Sequence, residues 1–357
     1  MSKHAVRRTL SLCGLAWLAS ILALAADVRI SGPYTHDNLS IYLLHSTRKE
    51  ADKKLLTLQE AMSQKKVVVY ETGQVNQLAI ENRSAEDVFI QSGDIVKGGQ
   101  QDRVLSTDMV LPANSGKLPI ASFCVESGRW TKRADEPARQ FSLSDKALPS
   151  KPLKMAVRDQ KNQVQVWAEV AEAKAKLAVA SEGTAAAGGG GNVGEGAGSG
   201  VGPSDSFVQH RLSSSTSMQL ALENKRVVES TAAYVRSLAK ILDGKNDAVG
   251  YAYSINGKLN SAEVYASHDL FVRMWPKMLD STAAEALSER QVGETYQAPP
   301  PLEVTSALDA ADRGREVSKE TAGRMSVAKK DSEKVILYEA SDADRRGEWI
   351  HKSYVVK

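Results

Sequence analysis

Between Val67 and Val125 the chain is divided into apolar runs of two to six residues, each closed off by turn-forming residues. The runs fall at 67–70, 78–80, 88–90, 95–96, 104–105, 109–111 and 120–125, and turn-formers occupy 71–74, 82–84, 92–94, 98–99 and 112–116. Segments this short and this closely spaced predict strands of an antiparallel sandwich or barrel, not strands alternating with crossover helices.

Helical spacing brackets this region. A short helical period is read at Leu55, Leu58, Ala61 and Met62, and a longer one over 159–177, with Val164, Trp167, Val170, Ala171, Lys174 and Leu177 on one face. The longer one runs into a glycine-dominated stretch, about 183–204, which is expected to be an inserted loop. Helical period resumes at Val227, Thr231, Tyr234, Val235, Leu238 and Leu242, with Gly244 as a stop. Asn256-Gly257 between alternating segments then predicts a type I′ hairpin. Ser267 is placed to cap a helix running to Leu287, kinked at Pro276, with Phe271, Trp275, Met278 and Leu279 on its apolar face. The expected class is α+β: an N-terminal antiparallel β-rich part, sandwich or barrel-like, packed with a helical part that contains a β-hairpin. Residues 26–298 are expected to form one domain. Beyond Pro301, residues 306–334 are charged and nearly free of aromatics, which predicts exposed helix or disorder, and 335–338 with 349–356 read as a terminal strand pair. Residues 299–357 are therefore expected to be a charged linker and strand pair, free to engage a protein partner.

The first 25 residues read as a cleavable signal peptide. Lys3, Arg7 and Arg8 form a basic start, 9–24 are almost wholly apolar, and Ala23-Leu24-Ala25 offers a small-x-small cleavage pattern. The apolar run is shorter than the roughly 20 residues that a bilayer span needs. A periplasmic or secreted mature chain with no membrane span is expected. Its charge matters for partners: those three basic residues account for the whole formal charge of +3, so the remainder is neutral. Nucleic acid is not an expected partner. Cys13 leaves with the signal, so Cys124 is the only cysteine of the mature chain and an intramolecular disulfide is impossible.

Polar functional groups concentrate at the predicted strand edges between Ser92 and Arg133. Adjacent glycines, Gly98 and Gly99, allow close approach of backbone N–H groups to an anion, and Lys97, Gln101, Arg103 and Arg129 could add contacts to phosphate or carboxylate. Asp102 and Glu126 could serve as acid and base, or could simply neutralise the arginines, in which case the segment is a glycine turn and a structural Asp–Arg pair. Cys124 alternates with Ile120 and Ser122 on one strand face, which suits a buried small hydrophobe better than a nucleophile. His36, His45, His210, His268 and His351 are scattered singly. No histidine pair four apart and no C-x-x-C occurs, so no metal is expected, and no cofactor. Gly189 to Gly194 matches G-x-G-x-x-G but follows a helix and coil, without the strand–turn–helix context that gives the motif its meaning.

The segments 92–105, Val110-Leu111-Pro112-Ala113 and 124–130 resemble the signature of a bacterial domain family, the ARG and rhodanese-phosphatase-superfamily-associated protein domain. The hairpin at 250–257 and the helix at 270–276 are similar to it as well, so the resemblance spans roughly 40–298. The family's association with ADP-ribosylglycohydrolases and phosphatase-like proteins implies an ADP-ribose-like or otherwise phosphorylated small molecule, without implying a reaction. The expected function is an exported binding module for such an anionic ligand. A hydrolase using Asp102 or Glu126 as general base, and a structural envelope protein, are the alternatives.

Overall fold

The computed structural model describes residues 28–46, 54–134, 136–188 and 216–357. The expected signal peptide and residues 189–204 of the expected insertion lie outside the described residues. The described residues form seventeen strands and seven α-helices, an α+β arrangement.

The largest layer is an antiparallel sheet of eight strands. Its order is β1 (Val28–His36), β2 (Leu39–Ser46), β12 (Ala248–Ile255), β13 (Lys258–Tyr265), β17 (Glu348–Val356), β16 (Val335–Asp342), β15 (Met325–Asp331) and β14 (Arg315–Ala322). Every residue of β12 and all but the last of β2 are buried, because both faces of the sheet are covered. Side chains alternate between faces along a strand. Leu39, Ile41 and Leu43 with Tyr251 and Tyr253 face helix α6 (His268–Ser288), packing on Phe271, Met274, Trp275 and Met278. Tyr42, Leu44 and Ala252 face the other way, onto Val304, Leu308 and Ala311 of helix α7 (Pro301–Asp312).

Residues 306–334 begin in helix, one of the two expected forms, but continue as paired strands instead of exposed helix or disorder. They hold most of α7 and the β14–β15 ribbon, and β17 is inserted between β13 and β16. The ribbon reads as charged because β14 is exposed along its whole length, while β15 needs only Met325 and Ala328 to anchor it. Asn256 and Gly257 take the positive φ values of 51° and 71° that the β12–β13 turn demands. The Ser267 side chain accepts from Leu270 N and starts α6, which carries Pro276 inside it.

The short runs form a second, six-stranded sheet: β11 (Phe141–Ala147), β7 (Asp94–Gly98), β8 (Arg103–Leu105), β10 (Gly116–Cys124), β5 (Gln77–Asn82) and β4 (Val67–Gln74). Its two ends curl towards one another. Tyr70 of β4 bridges to Gln140, and Glu71 N donates to Arg139 O at 3.0 Å, giving a half-barrel. β3 (Leu56–Thr57), β6 (Val88–Ile90) and β9 (Met109–Leu111) make a small third sheet. Helix α1 (Leu58–Ser63) follows β3 and opens with a capping box between Thr57 and Glu60.

Helices α2 (Lys151–Met155), α3 (Gln163–Gly188), α4 (Met218–Leu222) and α5 (Lys225–Leu238) pack around the half-barrel and α6. α3 differs from the expected face. Val166, Val170, Ala173 and Leu177 are buried, while Val164 is 71% exposed and Ala171 is exposed. A wide π turn (156–160) and left-handed Lys161 (φ 49°) end the preceding helical segment, so α3 begins at Gln163 and not at the expected 159. The helix persists to Gly188, into the stretch expected to be loop. No helix among the described residues is long and apolar enough to cross a membrane.

Candidate functional site

The turn between β7 and β8 and the loop leaving β10 meet at the mouth of the half-barrel. Gly98 and Gly99 both take positive φ. At Gly99 a Cβ would lie 2.5 Å from the Phe141 ring and 2.8 Å from the Glu71 carboxylate, so only glycine fits there. The turn folds back on Asp102, which is fully buried. Its Oδ1 accepts from Gly98 N at 2.9 Å, and its Oδ2 accepts from Arg133 Nη2 at 2.7 Å and Ser217 Oγ at 2.6 Å. Glu126 Oε2 lies 2.6 Å from Arg129 Nη2 and 3.0 Å from Arg133 Nη2, and accepts from Asp102 N at 3.3 Å. Both candidate acid–base groups are therefore committed to cations and backbone. The partly buried Arg133 guanidinium is penalised by desolvation, but its hydrogen bond to Asp102 and the charges of Asp102, Glu126 and Glu136 outweigh that and raise its pKa.

The remaining expected residues divide. Lys97 points away, donating to both oxygens of Glu223 at 2.9 and 2.8 Å. Gly98 N is spent on Asp102, and Gly99 supplies its carbonyl, which accepts from Arg129 Nη1 at 3.3 Å. Gln101 is buried, and its Oε1 has no hydrogen-bond partner among the described residues. Arg103 is wholly buried, yet of its five N–H donors only Nη1 makes a hydrogen bond, to Gln101 O at 3.1 Å. Its Nη2 is 3.7 Å from Glu71 Oε2, a carboxylate that already accepts from Thr72 N, Gly73 N and Gln100 N. The guanidinium also lies 5.6 Å from the ring centre of Trp130, which is 45% exposed. Gln100 Oε1 and Arg129 Nε are likewise buried without hydrogen-bond partners among the described residues.

Sequence reasoning missed Arg133, Ser217 and Glu71. Arg133 sits four residues past Arg129 and could have been grouped with it. Ser217 arrives from beyond the glycine-rich stretch, where Met218 N donates to Val125 O at 2.9 Å and Glu126 bridges to Ser217. Cys124 is fully buried, its backbone bracketed by the Gln163 side-chain amide through two bonds of 2.8 Å. Burial pushes its thiol up to about 11. Native protein is accordingly expected to resist alkylation by a soluble thiol reagent at pH 8, with reaction only on unfolding. Stoichiometric labelling of the folded chain would contradict this placement.

A second buried polar group lies between the half-barrel and the eight-stranded sheet. His351 on β17 is flanked by Asp108 Oδ2 at 2.9 Å from Nδ1 and Glu263 Oε2 at 3.0 Å from Nε2, and all three are buried. Arg158 Nη2 donates to Asp108 Oδ1 at 3.1 Å, and Ser92 N donates to the same oxygen at 2.7 Å. Burial works against the charged imidazole, but the charge and hydrogen bond of Asp108, followed by those of Glu263, push His351 up to about 9. Asp108 is opposed by its own burial yet held down to about 2, mainly by the charges of His351 and Arg158. A raised histidine stabilises the fold fully below its unfolded value of about 6.5, and that contribution is lost as pH rises towards 9. The depressed Asp108 stabilises above about 4, with loss as pH falls towards 2. The His351 ring-proton NMR signals should hold their protonated positions at pH 8; a midpoint near 6.5 would mean that Asp108 and Glu263 do not stabilise a charged imidazole.

These features define the class: a mixed α+β protein in which a half-barrel, closed by an arginine–carboxylate network, packs against a sheet that the C-terminal strands complete. The ARG and Rhodanese-Phosphatase-superfamily-associated Protein domain matches residues 27–355, and the chain belongs to that family. The match runs beyond the stretch quoted from sequence and takes in α7 and nearly all of β17. Neither the curated proteins nor the solved structures gave a match.

Proposed function

We propose that the protein is an exported binding module for a small anionic ligand, phosphorylated or ADP-ribose-like, recognised by Arg103 and Arg129. The observation that carries this reading is Arg103. A buried guanidinium whose nearest carboxylate is shared among three backbone donors is costly, because unmet charged hydrogen-bonding groups lose several kcal/mol relative to water. An incoming oxyanion would meet Nε and Nη2 of Arg103 and Nε of Arg129, beside the Trp130 ring. Binding is favoured over hydrolysis because Asp102 and Glu126 are already engaged by Arg129 and Arg133, which leaves neither poised as a general base. Export rests on the first 25 residues, and cleavage after Ala25 would leave every described strand and helix intact.

A thermal-shift panel on the chain from Ala26 tests the reading, with phosphate, sugar phosphates, ADP-ribose, NAD and simple carboxylates, and Arg129→Ala as the control. A ligand at 100 times its dissociation constant should add about 2.7 kcal/mol, roughly 5–10 °C for a domain of this size. That shift should vanish in Arg129→Ala. A folded protein that none of these anions stabilises would count against the proposal.

A further inference from the structure

A cleft separate from the arginine cluster runs between the β14–β15 ribbon and the body of the protein. It has two lobes, of about 660 and 370 Å³, which share Ser106, Thr107, Asp108, Lys161, Glu320 and Val327. The combined space suits a small molecule. The larger lobe is mainly apolar, with Phe123, Met325 and Val327 among its walls, and it includes Ser122, whose buried hydroxyl has no partner among the described residues. The smaller lobe carries six charged side chains in balance: Arg158, Lys161 and Lys329 against Asp108, Asp159 and Glu320.

Those charges are paired. Arg158 is held deep in the cleft by Asp108, with its guanidinium 5.1 Å from the ring centre of Tyr338. The other two pairs, Lys161 with Glu320 and Lys329 with Asp159, tie the ribbon to the segment around the π turn. Both are partly exposed, and exposed ion pairs contribute only about 0–1 kcal/mol each. They can be exchanged at little cost for the charges of a ligand. A lone anion would bring its charge against Asp159 and Glu320, and a lone cation would meet Lys161 and Lys329. A molecule with adjacent opposite charges can satisfy both partners of one pair at once. From this balance, and from the apolar lobe beside it, we infer that the cleft binds an amino acid with an apolar side chain. Its ammonium and carboxylate would lie between Lys161 and Glu320, and its side chain would enter the lobe of Phe123 and Met325.

Titration calorimetry on the mature chain tests this with phenylalanine and leucine. Phenylpropionate carries only the carboxylate, phenethylamine only the ammonium, and glucose neither. Saturable binding of the amino acids is expected, at least about tenfold tighter than either single-charge analogue. Lys161 and Glu320 are both exposed, so alanine replacement at either should leave the fold intact, which the melting curve of each variant checks. Lys161→Ala and Glu320→Ala should each weaken amino-acid binding by about tenfold or more. Absence of amino-acid binding up to concentrations on the order of 10 mM would overturn the inference. So would single-charge analogues or glucose binding as tightly, or folded variants that bind unchanged. The arginine cluster is untouched in every arm, so this result stands apart from that of the anion panel.

Discussion

Replacing Asp108 with alanine is expected to lower stability by about 3–5 kcal/mol at pH 7, read as a fall in the urea midpoint with an unchanged slope. The carboxylate is the meeting point of His351, Arg158 and the backbone N–H of Ser92, and both it and the histidine are fully buried. Its removal leaves the Arg158 guanidinium without its carboxylate and strips the protonated imidazole of the nearer of its two counter-charges. Glu263 remains at 3.0 Å from His351, which places the cost below that of a wholly isolated buried cation. Asp108→Asn keeps the shape and an acceptor while removing the charge, and should fall between wild type and alanine. A loss under about 1 kcal/mol for Asp108→Ala would mean that the pair is solvated and contributes as a surface ion pair does.

The second large effect is expected at Asp102. This side chain has no solvent exposure and accepts three hydrogen bonds, from Gly98 N, Arg133 Nη2 and Ser217 Oγ. Asp102→Ala orphans one charged and two neutral donors together, at a cost of about 3–5 kcal/mol. It should also release the β7–β8 turn from the segment that enters α4. Faster hydrogen exchange of the Gly98 and Met218 amides would report that release, since Met218 N pairs with Val125 O beside the same network. If Asp102→Ala melted like wild type with both amides still protected, the network would not be what joins these segments.

Much of the fold could be read locally. The Asn256-Gly257 turn, the Ser267 cap and the short strands from 67 to 125 all announce themselves through backbone chemistry that acts within a few residues. The Thr57/Glu60 capping box is equally local, a Thr followed three residues later by Glu. Sequence failed where burial depends on distant partners. The β14–β15 ribbon has no apolar face of its own and becomes ordered through pairing with β16, so its composition resembles that of a solvated segment. The expected stripe on α3 shares only Val170 and Leu177 with the buried face, which Val166 and Ala173 complete; the apolar Val164 belongs to the exposed side, and nothing local distinguishes it from Val166. The site shows the same division. The glycine turn, Asp102, Arg103, Glu126 and Arg129 lie close enough in sequence to be grouped, and the structure brings them together. Lys97 does not join them, because Glu223 of the α4–α5 corner captures it. Ser217 joins Asp102 across 115 residues, and His351 joins Asp108 across 243. No local pattern records either meeting.

The Nε–Hε NMR signal of Arg103 reports directly on whether that side chain is a ligand group. Arg103→Lys assigns it, and burial should slow its exchange with water enough for it to be seen. Titration with ADP-ribose and, separately, with inorganic phosphate should move the signal progressively to saturation, with Arg129 Nε moving at the same ligand concentration. If both signals stay in place while the protein remains folded and the ligands are in large excess, Arg103 is satisfied by the protein and its water alone, and the anionic-ligand reading fails.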